Sequence, residues 1–280
     1  MTRRDYLVCI DSDGCAMDTM NSKHMQCFGP AMIEVWKMEE RQAEIQKYWN
    51  RINLFSGTRG INRYLALSMV LEKKGQGCDL EGFSQFQKWT NETKELSTDS
   101  LKHWIEQEEN KNSECCRKAY QWTLLVNQKI EKMPKNGNQV FRGVREALQE
   151  IHQQADVAVV SSANRNAVEE EWKQEGLLEY VNVLMTQEDG SKAACISKLL
   201  KEGYPQNHVM MVGDAPGDLK AARENGVLYF PILANQEEAS WNRLRTKVFE
   251  IFLKGSYEGA AEQEQEAAFH NNLELLSKEG

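Results

Sequence analysis

Between residues 143 and 232, short apolar runs alternate with amphipathic stretches, and this alternation constrains the fold more than any other feature of the chain. The apolar runs predict buried strands at 157–160, 181–186, 208–212 and 227–232. The amphipathic stretches predict helices at 143–154, 165–175, 191–202 and 216–225. A further apolar run, YLVCI at 6–10, predicts an N-terminal strand. Strands alternating with helices of about ten residues are typical of βαβ units. The sequence therefore predicts an α/β protein with a Rossmann-like parallel sheet.

The segment 18–135 shows a different pattern, which is rich in tryptophan and helical in period, with no clear strand. Tryptophans at helical spacing among leucines and isoleucines usually form a core. We therefore predict an inserted helical domain at 18–135, which splits an α/β core of 1–17 and 136–235. Residues 132–141 are predicted to link the two parts. The remaining 236–280 are predicted to form a charged helical extension that packs through Phe269, Leu273 and Leu276.

The composition excludes several classes of function. The 34 basic residues against 42 acidic ones give a net charge of −8, which argues against nucleic-acid binding because that binding depends on basic side chains. No apolar stretch approaches the roughly 20 residues of a membrane span. The seven cysteines are odd in number and lack metal-binding spacing, which predicts reduced thiols rather than disulfides or zinc. With no secretion signal at the N-terminus, we expect a cytoplasmic protein.

Polar side chains follow three of the predicted strands at the point where each strand ends. Asp11 and Asp13 follow the first strand, and Asp214 follows the strand at 208–212. Ser161 or Ser162 follows the strand at 157–160, and Ser161 is favoured because it comes directly after the strand. Ligands of open α/β sheets bind at the carboxyl ends of the strands, so these groups are expected to share one crevice.

Two further groups are expected in the same crevice. Asp218 lies four residues beyond Asp214, and Lys192 opens the helix before that strand. Carboxylates this close stay ionised only beside a cation, and Mg²⁺ is the default for oxygen ligands. The alternatives are a helix N-terminal acid for Asp218 and a surface lysine for Lys192, with Lys198 as the substitute.

Chemistry follows from this set of residues. Asp11 can attack phosphorus to form an aspartyl-phosphate, which divides a difficult displacement into two easier steps. Asp13 is near enough to protonate the leaving oxygen and later to deprotonate water. Ser161 and Lys192 would bind the phosphoryl oxygens on which charge accumulates. Gly14 allows the chain to turn so that its amides face the phosphate.

The motifs IDSDG, VVSS, GSK and VGDAPGD occur in the order seen in the haloacid dehalogenase-like (HAD) hydrolases, which this chain resembles over 1–17 and 137–230. The resemblance implies that the helical insertion is a cap domain. It also implies that Mg²⁺ is held by Asp11, the main-chain carbonyl of Asp13, and Asp214, with Asp218 in support. In relatives with a cap at this place, a turn between cap helices faces the active site. Arg59 is therefore a candidate substrate contact, and the alternative is an arginine on a surface turn.

In the family that the chain resembles, dehalogenases and phosphonate-cleaving members lack an acid two residues after the nucleophile, so the resemblance implies that Asp13 serves a leaving group that needs a proton. We therefore expect a Mg²⁺-dependent phosphatase acting on a small phosphorylated metabolite. A sugar phosphomutase with the same site is the first alternative, and a regulatory or binding module with weak catalysis is the second. The expected partner is the small metabolite alone, without nucleic acid or membrane. A homodimer formed through the 236–280 extension is left open.

Overall fold

The computed structural model describes residues 3–75, 81–107, 110–134 and 139–279. Cys78 and residues 135–138 of the predicted linker lie outside these ranges. The chain divides into two compact units. We call residues 1–20 with 136–279 the sheet unit, and residues 21–135 the helical unit.

The sheet unit contains five parallel strands, which are β1 (Leu7–Ile10), β2 (Asp156–Val160), β3 (Val183–Met185), β4 (Val209–Gly213) and β5 (Leu228–Pro231). Their order across the sheet is β3-β2-β1-β4-β5. The predicted α/β class with a parallel sheet is confirmed, and each strand is present with bounds that differ by one or two residues. The helices are α1 (Met20–Lys23), α2 (Gly29–Trp36), α3 (Gln42–Leu54), α4 (Arg63–Lys74), α5 (Phe83–Glu92), α6 (Thr98–Glu106), α7 (Glu114–Glu131), α8 (Val144–Gln154), α9 (Arg165–Gln174), α10 (Lys192–Leu200), α11 (Pro216–Asn225), α12 (Glu237–Arg243), α13 (Phe249–Leu253) and α14 (Ala260–Glu279).

Short helical turns complete the described secondary structure. Two segments form π-helices, His24–Phe28 and Leu244–Val248. Four form 3₁₀ turns: Glu39–Arg41, Leu178–Tyr180, Gln187–Asp189 and Gln206–His208. None of the described helices is both long enough and apolar enough to cross a lipid bilayer.

The register of the sheet brings the ends of three neighbouring strands level. Ile10, the last residue of β1, is paired with Val159 on one side and with Val212 on the other. The central strands are buried along their whole length, as expected for a parallel sheet covered on both faces. The residues that follow β1, β2 and β4 therefore emerge side by side at one edge of the sheet.

The sequence explains how the helices around this edge begin and end. Asn164 and Ser191 cap α9 and α10, each accepting a hydrogen bond from a main-chain N–H in the first turn. The helix α11 begins with Pro216, whose fixed φ suits a first helical residue. It ends at Asn225 and is capped by Gly226, which adopts the left-handed conformation that favours glycine (φ 64°). These caps fix where the loops before α9, α10 and α11 stop and where the helices start.

The C-terminal segment belongs to the sheet unit. Its helix α14 buries Phe269, Leu273 and Leu276, the three side chains predicted to pack. The helical unit has its own core, which includes the fully buried Trp49, Trp89 and Trp122. These tryptophans are core residues, as their helical spacing predicts. The six described cysteines are buried and form no disulfide among the described residues: Cys9, Cys15, Cys27, Cys115, Cys116 and Cys195.

Candidate active site

The loop after β1 turns sharply at the carboxyl end of the sheet. The main-chain N–H of Asp11 still bonds the carbonyl of Val212 at 3.0 Å, so the pairing with β4 continues one residue past the strand. The carbonyl of Ser12 then accepts hydrogen bonds from the main-chain amides of Ala16 (3.0 Å) and Met17 (2.8 Å). The turn requires a positive φ at Gly14 (85°), which a residue without Cβ adopts without strain. Asp11 therefore lies directly after β1, at the carboxyl end of the sheet.

Three acidic side chains meet at this edge. Ligand oxygens of Asp11, Asp214 and Asp218 lie within 4.8 Å of one another, and all three residues are buried. The approach of Asp218 depends on Gly213, because a Cβ at that position would collide with the Asp218 carboxyl group. Asp218 also accepts a hydrogen bond from the main-chain N–H of Ala215 at 3.0 Å. It therefore caps the start of α11 and belongs to the acidic cluster at the same time.

Lys192 joins this cluster through its ammonium group. The Nζ atom lies 2.9 Å from Oδ1 of Asp11 and 2.5 Å from Oδ1 of Asp218. The side chain of Lys192 is only 14% exposed, so both ion pairs are shielded from water. The surface alternative for Lys192 is wrong. Lys198, the substitute considered from the sequence, instead donates to the carbonyl of Asp189 at 2.5 Å.

Burial sets the protonation behaviour of these groups. Burial raises the pKa of Asp11 well above its usual value, the neighbouring Asp218 and Asp214 add to that effect, and Lys192 opposes it. For Lys192, burial alone would lower the pKa, but the contacts with Asp11 and Asp218 outweigh it and raise the pKa. One ammonium group thus pairs with two of the three clustered carboxyl groups, and a second positive charge would favour the ionised form of Asp11.

The donor set fits a hard divalent cation. Carboxylate oxygens are the ligands that Mg²⁺ takes from proteins, and soft sulfur or imidazole ligands are not part of this cluster. Several carboxylates converging in a buried place are costly unless a cation compensates them. We infer that Asp11, Asp214 and Asp218 could hold such an ion; the role predicted for the Asp13 carbonyl stays a prediction.

Asp13 lies outside the three-acid cluster and is half-buried. Its Oδ1 accepts a hydrogen bond from the hydroxyl of Thr19, which is 1% exposed. Ser161 is buried, and its Oγ accepts from the N–H of Ala163 at 3.2 Å, whereas Ser162 is exposed. The burial difference favours Ser161, as the sequence does, while phosphate binding by either serine stays a prediction.

Arg59 lies in the helical unit and is only 3% exposed. Its Nη1 donates to the carbonyl of Leu54 at 2.9 Å. The alternative of an arginine on a surface turn is therefore wrong, because the guanidinium is buried and held by the main chain. Its proposed contact with a substrate stays a prediction.

Sequence reasoning missed three buried aromatic residues that hold the loops of this site. The indole N–H of Trp172 donates to Oγ of Ser12 at 2.9 Å. The indole N–H of Trp241 donates to the carbonyl of Cys15, also at 2.9 Å. The hydroxyl of Tyr229 donates to the carbonyl of Gly213 at 2.9 Å. The two tryptophans lie more than 150 residues from their acceptors and Tyr229 lies 16 residues from its own, and the sequence carries no signal for these pairs beyond a large side chain with a polar tip.

Comparison with known proteins gives a consistent result. A family model described as "Haloacid dehalogenase-like hydrolase" matches residues 81–231, more than half of the chain. No protein with a curated description matches the chain. Among solved structures, a "putative phosphoglycolate phosphatase" from Lactobacillus delbrueckii subsp. bulgaricus aligns with a TM-score of 0.53 and 13% identity, covering 81% of this chain and 86% of its own.

Two further solved structures align less closely. A "predicted phosphoglycolate phosphatase" from Haemophilus somnus 129pt has a TM-score of 0.47 and 15% identity, covering 84% of this chain and 87% of its own. A magnesium-bound HAD hydrolase, YfnB from Bacillus subtilis, described as "putative", has a TM-score of 0.45 and 15% identity, with coverages of 82% and 87%. At 13% identity, the Lactobacillus structure shows a shared fold.

Proposed function

The chain belongs to the haloacid dehalogenase-like hydrolases, and we propose that it is a magnesium-dependent phosphatase acting on a small phosphorylated metabolite. Asp11 carries the proposal. It is a buried carboxylate at the carboxyl end of β1, 2.9 Å from the ammonium group of Lys192 and grouped with Asp214 and Asp218. The ammonium group of Lys192 compensates the charge of this carboxylate and is also placed to attract an incoming phosphoryl group. Because the carboxylate is buried, solvent alone cannot stabilise its charge.

In the proposed reaction, an oxygen of the Asp11 carboxylate attacks the phosphorus atom, and the bond from phosphorus to the ester oxygen breaks. Asp13 gives its proton to the departing oxygen. Asp13 then takes a proton from a water molecule, which attacks the aspartyl-phosphate and releases inorganic phosphate and free Asp11. The two-residue spacing places both carboxyl groups on one turn, which the Ser12 carbonyl holds through its bonds to Ala16 and Met17.

Positive charge lowers the barrier at both steps. Lys192 and the hydroxyl of Ser161 interact with the phosphoryl oxygens, whose charge spreads in the transition state. Magnesium, when bound by Asp11, Asp214 and Asp218, would neutralise substrate charge and keep Asp11 ionised. Thr19 donates to Asp13 and so holds its carboxyl group in one orientation.

The test is phosphate release from a panel of phosphorylated metabolites, measured with Mg²⁺ and with EDTA. The panel starts with phosphoglycolate, because a solved structure of the same fold is described as a phosphoglycolate phosphatase. The Asp11→Asn variant should lose at least about a thousandfold in kcat, since removing a nucleophile removes the covalent route. Asp18→Asn, which alters an exposed acid of the same loop, is the matched control and should retain activity.

The outcomes separate the functions under consideration. Release that needs both Mg²⁺ and Asp11 supports the phosphatase. Phosphoryl transfer between sugar hydroxyls without release to water would replace it with a mutase. Equal inertness of the wild type and Asp11→Asn on every ester, with or without transfer acceptors, would contradict enzymatic phosphoryl chemistry and favour a binding module.

A further inference from the structure

The outer edge of the sheet is closed by the C-terminal segment. β5 is the last strand, and the main-chain N–H of Ile232, the residue directly after it, donates to the carbonyl of Gly213 of β4 at 2.9 Å. Because main-chain groups alternate in direction along a strand, those of Tyr229 point away from β4. The N–H of Tyr229 donates to Oε1 of Glu262 at 2.8 Å, and its carbonyl accepts from the hydroxyl of Tyr257 at 2.8 Å. Both edge groups of Tyr229 are therefore bound by residues beyond position 255.

The side chain of Tyr229 reaches the carboxyl end of β4, next to Asp214 of the acidic cluster. Its hydroxyl donates to the carbonyl of Gly213 at 2.9 Å, and the residue is fully buried. The ring packs edge-on against Phe269 of α14, with 5.7 Å between the ring centroids. Gly213 is the residue directly before Asp214, so the hydrogen bond acts on the peptide unit that precedes this carboxylate. Burial raises the pKa of Tyr229 well above its usual value, so the phenol keeps the proton that it donates.

We propose that Tyr229 is a positioning residue for Asp214, and that the C-terminal segment acts on the active site through it. The inference rests on the proposed function, because it concerns the orientation of a carboxylate assigned there to Mg²⁺. The Gly213 carbonyl accepts from both the Ile232 N–H and the Tyr229 hydroxyl, and the second bond restricts the plane of the peptide unit that joins Gly213 to Asp214. The Glu262 and Tyr257 side chains hold Tyr229 itself, so the network runs from α14 to the metal ligand.

The strength of this network comes from its burial. Glu262 is 5% exposed and its Oε1 also accepts from Arg223 at 3.1 Å, which keeps a buried carboxylate compensated. A hydrogen bond to a charged acceptor in such a place is stronger than one between neutral groups. Partners of this kind around metal ligands commonly change metal affinity 10- to 100-fold when they are removed.

The experiment compares Tyr229→Phe with Tyr6→Phe. Each variant removes one hydroxyl that donates to a main-chain carbonyl of the sheet unit, and each keeps the aromatic ring. Tyr6 lies at the opposite end of β1 and its hydroxyl bonds Leu253 at 2.8 Å, so it serves as the matched control. Mg²⁺ affinity is measured by isothermal titration calorimetry on the folded proteins, with thermal unfolding recorded alongside. This readout does not depend on any substrate.

We expect Tyr229→Phe to weaken Mg²⁺ binding about tenfold, while Tyr6→Phe changes it less than about twofold and loses a similar amount of thermal stability. Glu262→Ala should weaken Mg²⁺ binding in the same direction, and its effect should be less than additive with Tyr229→Phe because both act through one residue. A Tyr229→Phe protein that binds Mg²⁺ as tightly as the wild type, or a Tyr6→Phe protein that loses as much, would overturn the inference.

The outcome is separable from that of the proposed function. A wild type that binds Mg²⁺ yet hydrolyses no ester, with Tyr229→Phe weakened, refutes the phosphatase and supports the positioning role. Hydrolysis that depends on Mg²⁺, together with unchanged Mg²⁺ binding in Tyr229→Phe, supports the phosphatase and refutes the positioning role. A wild type that binds no Mg²⁺ by calorimetry refutes both.

Discussion

Replacing Lys192 with methionine tests the electrostatics of the acidic cluster most directly. The substitution keeps a long unbranched side chain and removes only the ammonium group. Oδ1 of Asp11 then loses a cation at 2.9 Å, and Oδ1 of Asp218 loses one at 2.5 Å. The third acid, Asp214, stays within 4.8 Å of both. Three buried carboxyl groups are left without their lysine.

The size of the effect follows from burial. Removing one partner of a buried ion pair typically costs about 3–5 kcal/mol, because the other charge stays buried without compensation. Natural domains have about 5–15 kcal/mol of total stability, so the loss is a large fraction of it. At about 2–4 °C per kcal/mol for a domain of this size, the melting temperature of Lys192→Met should fall by about 6–20 °C in EDTA.

The assay is thermal and urea unfolding in EDTA and then in Mg²⁺. An ion present at a hundred times its dissociation constant stabilises the folded state by about 2.7 kcal/mol, so Mg²⁺ should recover part of the loss. Lys198→Met is the matched control, since this lysine lies on the same helix, is exposed and donates to the carbonyl of Asp189. The control should lose about 1 kcal/mol or less.

Equal melting temperatures for Lys192→Met and Lys198→Met in EDTA would refute this account of the cluster. The same pair of variants tests the assignment of the phosphate-binding lysine. Phosphate release should fail in Lys192→Met and persist in Lys198→Met, and the reverse result would transfer the role to Lys198.

Three further predictions concern the loops around the site. Ser161→Ala should lower kcat/KM about a hundredfold, whereas Ser162→Ala should leave it close to wild type, both measured by phosphate release. Ser12→Ala and Trp172→Phe, measured by urea unfolding, should show a coupling energy of about 1 kcal/mol in a double-mutant cycle; additive losses would argue against the indole hydrogen bond. The main-chain N–H of Thr186 holds the pKa of Asp189 below its usual 3.8, so this carboxylate stabilises the fold above that pH and the contribution is lost as the pH falls through the lowered value. The stability difference between wild type and Asp189→Asn, measured by urea unfolding, should therefore be present at neutral pH and vanish once the pH has fallen below the lowered pKa; a constant difference would contradict the ionic contribution.

The sheet could be predicted from the sequence because each strand carries its own signal. Buried parallel strands are short and apolar, and polar residues mark their carboxyl ends, so β1, β2 and β4 were recognisable one at a time. That these three are neighbours also followed, because functional groups placed at strand ends must come from strands that lie together. The predicted grouping of the acidic residues with Lys192 follows from this neighbouring position of the strand ends.

The hydrogen bonds that hold the loops of the site could not be predicted, because they depend on packing between distant parts of the chain and carry no local sequence signal. The hydrogen bond from Trp172 to Ser12 joins residues 160 positions apart. The hydrogen bond from Tyr229 to Gly213 depends on how β5 packs against α14. A buried tryptophan or tyrosine needs a partner for its polar tip, but many carbonyls and hydroxyls satisfy that need equally well. Only the packed structure selects one. The burial of Arg59 is of the same kind, since the main-chain carbonyl that it binds at the end of α3 carries no signal in the sequence.

The buried cysteines can serve as probes of local unfolding in each part of this protein. Cys9, Cys15 and Cys195 belong to the sheet unit, whereas Cys27, Cys115 and Cys116 belong to the helical unit. A thiol reagent in solution reaches such a group only when the surrounding structure opens, so the labelling rate measures that opening. Mass spectrometry after brief labelling would therefore report which of the two units opens first under stress. Mg²⁺ should slow labelling at Cys15, two residues beyond Asp13, more than at Cys116.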